Sequence, residues 1–376
     1  MKYNTVFPYF SKDDIDTILG QFRDVLAGNG LLTMGSAVQE FEKNFAHYLG
    51  VPYAVATNSC TSALEIALRC IEFNPGDEVI VPVQTFIATG SCVVNSGGKV
   101  VFCEIDENFL LDFEDLKRRI TSKTRAVMMV HFCGLIHPQI MQIKDFLKKR
   151  GIVLIEDAAH APGAKIDGVF AGTIGDIGCF SFFSTKIITT GEGGMFTTQD
   201  QAMAKKASSL RNRGLDVDAG REIYSRMGGN RRMSEIQGIL GRQHLKSLET
   251  FLTRRNQLAE IYRGKLRSLV DRKIIRFQDV SRGARHAYWR FLVFLQATPI
   301  TRDVIRQKMA ESEVVIDWPY DPMLPFQPVF QNLYGTKPGD FPRSENLSQM
   351  HFCLPLHMGL NESDIEFIAD RLLEVF

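Results

Sequence analysis

The sequence predicts an α/β protein, with a large domain on a mostly parallel sheet over residues 1–248 and a smaller C-terminal α+β domain over 249–376. Three observations lead there. Short apolar runs alternate with helical periods from residue 54 to about 200, the pattern of a parallel sheet covered on both faces. The pattern then gives way to long charged helical stretches and a final strand, helix and helix. A length of 376 residues exceeds what one core usually serves and suits one large and one small unit.

Residues 37–49 (AVQEFEKNFAHYL) carry Val38, Phe41, Phe45 and Leu49 at helical spacing, and Gly50 ends that helix. Strands are expected at 54–57, 79–82 (VIVP), 100–105, 126–132 and 151–157 (GIVLIED), with helices at 61–72, 84–95, 113–121 and 138–150. GCFSFF at 178–183 and GMFTT at 194–198 read as further strands of the same sheet. Residues 231–269 read as long charged helices, and 286–296, 302–312 and 361–375 as strand, helix and helix. The Pro- and aromatic-rich run 317–342 reads as an irregular loop.

Apolar residues are 45% of the chain, charged residues 23%, and the formal net charge is +1. No global field draws in nucleic acid or an anionic membrane, so neither partner is expected and any anion must be held by local groups. The N-terminal stretch has neither a secretory pattern nor an amphipathic Arg-rich one, and no run approaches the roughly 20 apolar residues of a membrane span. The seven cysteines are scattered and include no C-x-x-C pair. Neither a metal site nor a disulfide framework is expected; reduced thiols in a cytoplasmic protein are.

In parallel α/β sheets, ligands sit beyond the carboxyl ends of the strands. There the fifth expected strand runs into Asp157 and, three residues on, His160; 178–183 runs into Ser184, Thr185 and Lys186; 54–57 runs into Asn58, Ser59, Cys60 and Thr61 at a helix start. Each has an ordinary reading: a capping or ion-paired Asp157, a solvated Lys186, an N-cap at 59–61, a simple turn at GEGG (191–194). Together they describe a site for pyridoxal 5'-phosphate (PLP). That cofactor needs a lysine for its aldehyde, a carboxylate to keep its pyridine nitrogen protonated so that the ring acts as an electron sink, and a cradle for its phosphate. Lys186 and Asp157 supply the first two. The helix start at 59–61 offers an anion free N–H groups and the positive end of a helix dipole. Glycine at 191–194 allows close backbone approach, and Phe86, just after VIVP, is placed to stack on the ring.

At these residues the sequence resembles the DegT/DnrJ/StrS-type sugar aminotransferases of the aspartate-aminotransferase (fold type I) superfamily. The matching stretches are GDEVIVPVQTFIAT (76–89), IEDAAHAPGA (155–164), GDIGCFSFFSTKIITTGEGGM (175–195) and GGNRRMSEIQGIL (228–240), and the similarity runs from about Leu31 to the C-terminus. The resemblance implies a fold type I PLP-dependent transferase. It implies that Lys186 takes the cofactor's aldehyde and later moves the substrate's Cα proton, and that Asp157 pairs with the pyridine nitrogen. It places His160 near the phenolic oxygen and Phe86 on the ring. It gives the phosphate to Ser181, helped by Thr61 and the backbone of Ser62. Asn230 matches an asparagine that reaches the phosphate of a neighbouring subunit, which implies a homodimer with a shared site. The implied reaction passes an amino group from L-glutamate to a keto sugar, most readily a nucleotide-linked 4-keto-6-deoxy sugar for surface polysaccharide or a related glycan.

Four positions depart from the family pattern. Cys60-Thr61-Ser62 replaces a common Gly-Thr-Ala, Asn212-Arg213-Gly214 replaces Asn-His-Gly, Arg231 replaces an aromatic, and Pro322-Met323-Leu324 lacks the histidine of Pro-Leu-His. In the resemblance these positions lie toward the sugar or nucleotide. Arg213 and Arg231 could hold phosphate oxygens by charge-assisted hydrogen bonds or could be surface charge; Tyr320 is a further candidate on the substrate side. A small phosphorylated ketone without a nucleotide is thus a second acceptor to test. Sugar dehydration is disfavoured, because relatives of that kind carry histidine where Lys186 stands. A non-enzymatic PLP-binding regulator is disfavoured because nothing resembles a DNA-binding appendage.

Overall fold

The chain is described by a computed structural model covering residues 2–216, 218–296 and 298–376. Nine strands precede residue 200: β1 (Tyr53–Thr57), β2 (Glu78–Pro82), β3 (Lys99–Cys103), β4 (Thr124–Val130), β5 (Val153–Asp157), the short β6 (Lys165–Ile166) and β7 (Val169–Phe170), β8 (Ile177–Ser181) and β9 (Gly194–Thr198). Seven of them form one sheet in the order β1-β9-β8-β5-β4-β2-β3. β2, β3, β4, β5 and β8 pair in parallel, while β9 runs antiparallel to both β1 and β8. The mostly parallel sheet is therefore present, with one reversed strand that apolar runs alone do not reveal. β2, β8 and β9 are buried along their whole length, as strands covered on both faces must be.

Helices α1 (Lys12–Leu26), α2 (Ser36–Leu49), α3 (Cys60–Ile71), α4 (Ile87–Asn95), α5 (Phe113–Arg119), α6 (Ile140–Lys148) and α7 (Gln201–Arg211) lead to the 31-residue α8 (Glu235–Lys265). The stripe Val38, Phe41, Phe45 and Leu49 is buried as its spacing predicts. α2 packs closely on α8 because position 238 is glycine: a Cβ there would lie 2.7 Å from the Val38 nitrogen. The capping residue of α2 is Gly35, which has no side chain to offer. The buried Glu235 carboxylate fills that role from α8, accepting from the Ala37 and Val38 N–H groups at 2.6 and 3.3 Å.

A second core lies around Tyr262, Phe291, Ile305, Phe352 and Ile368. It joins the far half of α8 to α9 (Arg267–Asp271), a three-stranded sheet β10-β12-β13, α10 (Arg302–Glu311) and α13 (Glu362–Leu373); its strands are Ile275–Phe277, Phe291–Leu295 and His351–Leu354. The intervening β11 (Ala284–Arg285) pairs with β6 instead. The boundary expected after residue 248 falls within α8. Two local expectations change. The run 317–342 is not wholly irregular, since it holds α11 (Pro328–Tyr334), with Pro328 at the start where its missing N–H is harmless; α12 (Pro342–Gln349) begins at its end. The unforeseen α1 carries a capping box between Ser11 and Asp14.

Candidate active site

A cavity of about 480 Å³ opens at the carboxyl ends of β1, β2, β4, β5 and β8. Among the predicted residues, Ser59, Cys60, Thr61, Phe86, Asp157, His160, Ser181, Lys186 and Tyr320 line it. Parallel pairing makes this convergence: β5 ends at Asp157, its neighbour β8 ends at Ser181, and β1 hands on to 58–61.

At one end stands a buried carboxylate. Asp157 accepts from Thr89 Oγ1 at 3.0 Å and from the Ala159 N–H at 3.2 Å. Because the Thr89 proton goes to the carboxylate, Thr85 donates its own to Thr89 Oγ1, 2.7 Å away. Burial pushes the Asp157 carboxyl up, against those hydrogen bonds and the nearby Lys186 charge. Such a group calls for a cation beside it. α4 sets this geometry: Thr89 is one turn after Phe86, which occupies the capping position with no capping side chain and is 52% exposed toward the opening. The sequence spends a helix cap on an aromatic face there.

At the other end is the start of α3. Ser59 caps it by accepting from the Ser62 N–H at 3.1 Å, and the Ser62 hydroxyl donates to Asn58 Oδ1 at 2.7 Å. The Ser62 backbone is thus committed to the cap, and Ser62 does not line the cavity. Cys60 and Thr61 do line it, and among the described residues their N–H groups have no partner. The helix offers an anion these two donors, and the Ser181 hydroxyl lines the same cavity, its strand paired with Gly194 beside the helix start. Cys60 is buried, and desolvation pushes its thiol well up, so it stays neutral. In the GEGG turn, Gly194 is needed by the turn it packs on: a Cβ would sit 2.5 Å from the Cys60 nitrogen and nearer still to the Ser59 carbonyl.

In the same cavity, the Lys186 amine lies 4.1 Å from the centre of the Trp289 ring. Desolvation lowers its pKa to about 8, partly offset by Cys60 and Asp157. Trp289 also stacks on His160, centroids 3.8 Å apart and planes 12° apart, and its indole N–H donates to the Thr185 carbonyl at 2.9 Å. His160 Nδ1 accepts from the Cys133 N–H at 3.3 Å, so the ring's proton sits on Nε2 and is donated to the Tyr320 hydroxyl at 2.9 Å. Burial holds His160 well below its usual pKa, which keeps it neutral. Tyr320 adopts a left-handed φ of 65°, anchored by Gln84 Nε2 donating to the carbonyls of Pro319 and Tyr320 at 3.0 and 3.3 Å.

The remaining candidates lie outside the cavity. Arg231 donates Nε and Nη2 to Glu65 Oε2 at 3.1 and 2.7 Å, so its charge is answered within the chain rather than held ready for a phosphate. Arg213 and Asn230 are exposed and do not line the cavity. Sequence reasoning missed Thr85, Thr89, Glu192, Trp289 and Arg290, all of which do. The signal for Arg290 was AYWRFLVFL, where an arginine interrupts an otherwise apolar run.

Residues 12–373 match the DegT/DnrJ/EryC1/StrS aminotransferase family. The chain belongs to that family. This family member is 35% identical to the GDP-perosamine synthase of Caulobacter vibrioides, over 91% of each chain. It is 31% identical to the spore coat polysaccharide biosynthesis protein SpsC of Bacillus subtilis, over 98% of this chain and 95% of that one. Among solved structures, the PLP form of Spr1654 from Streptococcus pneumoniae superposes with a TM-score of 0.89 at 25% identity, covering 99% of this chain and 98% of that one. The fold is that of fold type I aminotransferases, and the protein is a PLP-dependent aminotransferase. Its residues fit the cofactor: a buried carboxylate with no ion-pair partner among the described residues, an amine of lowered pKa, and a helix start whose two N–H groups, unpartnered among the described residues, line the same cavity.

Proposed function

We propose that this aminotransferase takes an amino group from L-glutamate and places it on a nucleotide-linked keto sugar, above all a 4-keto-6-deoxy sugar, for surface polysaccharide or a related glycan. The observation that supports the reading is that Asp157, Lys186 and the open start of α3 all line one cavity. The relative named for GDP-perosamine synthesis supports a nucleotide sugar as acceptor. The disposition of the arginines agrees. With Arg231 committed to Glu65 and Arg213 on the surface, neither is set to grip a small phosphorylated ketone inside the cavity.

PLP, when bound, supplies the electron sink that lets a C–H bond beside nitrogen ionise. In our reading Lys186 holds the cofactor's aldehyde carbon and then moves the proton at the substrate carbon as base and acid. Asp157, oriented by Thr89 and the Ala159 N–H, keeps the proton on the pyridine nitrogen. Phe86 covers the ring. The N–H groups of Cys60 and Thr61 hold the phosphate with the Ser181 hydroxyl, Ser59 and Ser62 shaping the turn. His160 and Tyr320 form the wall beside Lys186. We further propose that the enzyme works in the cytoplasm as a homodimer, with Asn230 reaching the partner's phosphate site. Among the described residues no helix is long and apolar enough to cross a membrane.

The test is an absorbance spectrum of PLP-saturated protein before and after L-glutamate, followed by a panel of keto acceptors. Loss of the yellow band with glutamate and its return with a nucleotide-linked keto sugar is the expected result. A yellow protein indifferent to glutamate would overturn the donor, and return only with a small phosphorylated ketone would overturn the acceptor. Lys186→Ala is expected to fold, to show no yellow band and to lose at least ~10³-fold in turnover; a variant with wild-type spectrum and rate would sink the assignment.

A further inference from the structure

The Tyr320 hydroxyl keeps a proton that the chain does not use. His160 Nδ1 takes the Cys133 N–H, so Nε2 donates to the phenol oxygen at 2.9 Å. Having accepted there, Tyr320 still has its own O–H to give, and among the described residues nothing accepts it. The residue lines the cavity together with Asp157 and Lys186. The ionisable groups around the phenol are His160, Asp157, Cys60, Cys133 and Arg290, and burial pushes its pKa well up, so it stays a neutral donor. The side chain is held in aim. The rings of His160 and Trp289 lie 10° and 15° from the Tyr320 plane. The backbone at Tyr320 is in the left-handed region, which strains a residue with a side chain, and Gln84 pins it through the carbonyls of Pro319 and Tyr320.

We propose that the Tyr320 hydroxyl donates a hydrogen bond to the phenolic oxygen of PLP, an assignment that rests on Lys186 and Asp157 holding the cofactor as read above. In PLP that oxygen sits on the ring carbon next to the one that bears the aldehyde. It therefore belongs beside the Lys186 amine, which faces Trp289 at 4.1 Å, and the Tyr320 ring is 6.5 Å from that indole. Phe86, read above as the cover of the cofactor ring, is 5.7 Å from the Tyr320 ring on its other contact. His160, expected beside the phenolic oxygen from the sequence, has no proton left for it, because Nδ1 is filled and the Nε2 proton goes to Tyr320. His160 is thus the positioning residue and Tyr320 the group that touches. A donor at the phenolic oxygen stabilises negative charge there, so it eases proton loss from the nitrogen that joins PLP to Lys186.

A pH titration of the yellow band of PLP-loaded protein tests this without any substrate. The yellow fades as the joining nitrogen loses its proton, and the midpoint of fading is the readout. Tyr320→Phe should raise that midpoint by about one to two pH units, the range for one hydrogen bond to a charged group. His160→Phe, which frees the phenol to turn, should raise it by less, and so should Gln84→Leu, which unpins the turn. An unchanged midpoint in Tyr320→Phe would overturn the proposal. So would a larger shift in His160→Phe than in Tyr320→Phe, which would give the oxygen to the histidine itself. A wild-type midpoint in Tyr320→Phe with a slowed acceptor half-reaction would also overturn it, by placing the phenol on the sugar. If Tyr320→Phe does not fold, Gln84→Leu decides: a raised midpoint supports the contact and an unmoved one refutes it. Wild-type protein that never turns yellow would sink the Lys186 reading and this contact together, whereas an unmoved midpoint in a yellow variant sinks the contact alone.

Discussion

Lys186 shows how a single side chain is prepared by what surrounds it. Loss of water around its amine brings the pKa from 10.5 to about 8. Only the neutral amine attacks an aldehyde. PLP uptake by cofactor-free protein should therefore quicken roughly tenfold per pH unit below 8, because the neutral fraction grows by that factor. It should level off above 8. The growth rate of the yellow band between pH 6 and 9.5 checks this, and a flat profile would show that the amine is not limiting. Lys186 and Asp157 were legible in the sequence because a charge placed straight after a buried strand sits where parallel sheets bind ligands. Trp289 was not. It reaches the Thr185 carbonyl from 104 positions further along, and no local pattern announces a contact of that span.

At the scale of elements, the start of α3 is shaped from two sides. Ser59 closes the helix from within, while the Gly194 end of β9 presses against the Ser59-Cys60 peptide from outside. Gly194→Ala is expected to push that turn out of place, at about 1–3 kcal/mol of stability. PLP affinity should fall by about tenfold or more as the two free N–H groups lose their aim. A denaturant titration paired with a PLP titration measures both; an unchanged PLP affinity would mean that the phosphate is held elsewhere. At Gly194 the close approach is to the start of α3, while Glu192 and Gly193 of the same turn line the cavity. The strands were legible because double-sided burial writes unbroken apolar runs. The direction of β9 was not, since reversal of one strand leaves its burial pattern unchanged.

At the scale of the whole molecule, several large apolar side chains lie open on the surface. Leu19, Leu26, Leu31, Leu32 and Met227 are 56, 72, 65, 60 and 88% exposed. The Leu32 carbonyl accepts from the Glu235 N–H, and Thr33 bridges to Ser234, which puts the two leucines beside the segment carrying Asn230. Exposed leucines clustered next to a residue expected to serve a neighbour's site are the surface a homodimer would cover. Sedimentation should give about twice the 42.4 kDa of one chain. Replacing both Leu31 and Leu32 by Asp should shift the protein toward monomer and lower its activity. A fully active wild-type monomer would refute the shared site. The two hydrophobic cores follow the change of pattern near residue 200, and α8 runs unbroken through both.

The indole of Trp289 has a mechanical consequence. It stands just before β12, which lends Phe291, Val293 and Leu295 to the second core, and its N–H holds the peptide immediately before Lys186. One hydrogen bond thus ties the approach to β12 to the segment that carries the lysine. Any shift of Trp289 away from that segment would break this bond and disturb the peptide that leads into the lysine.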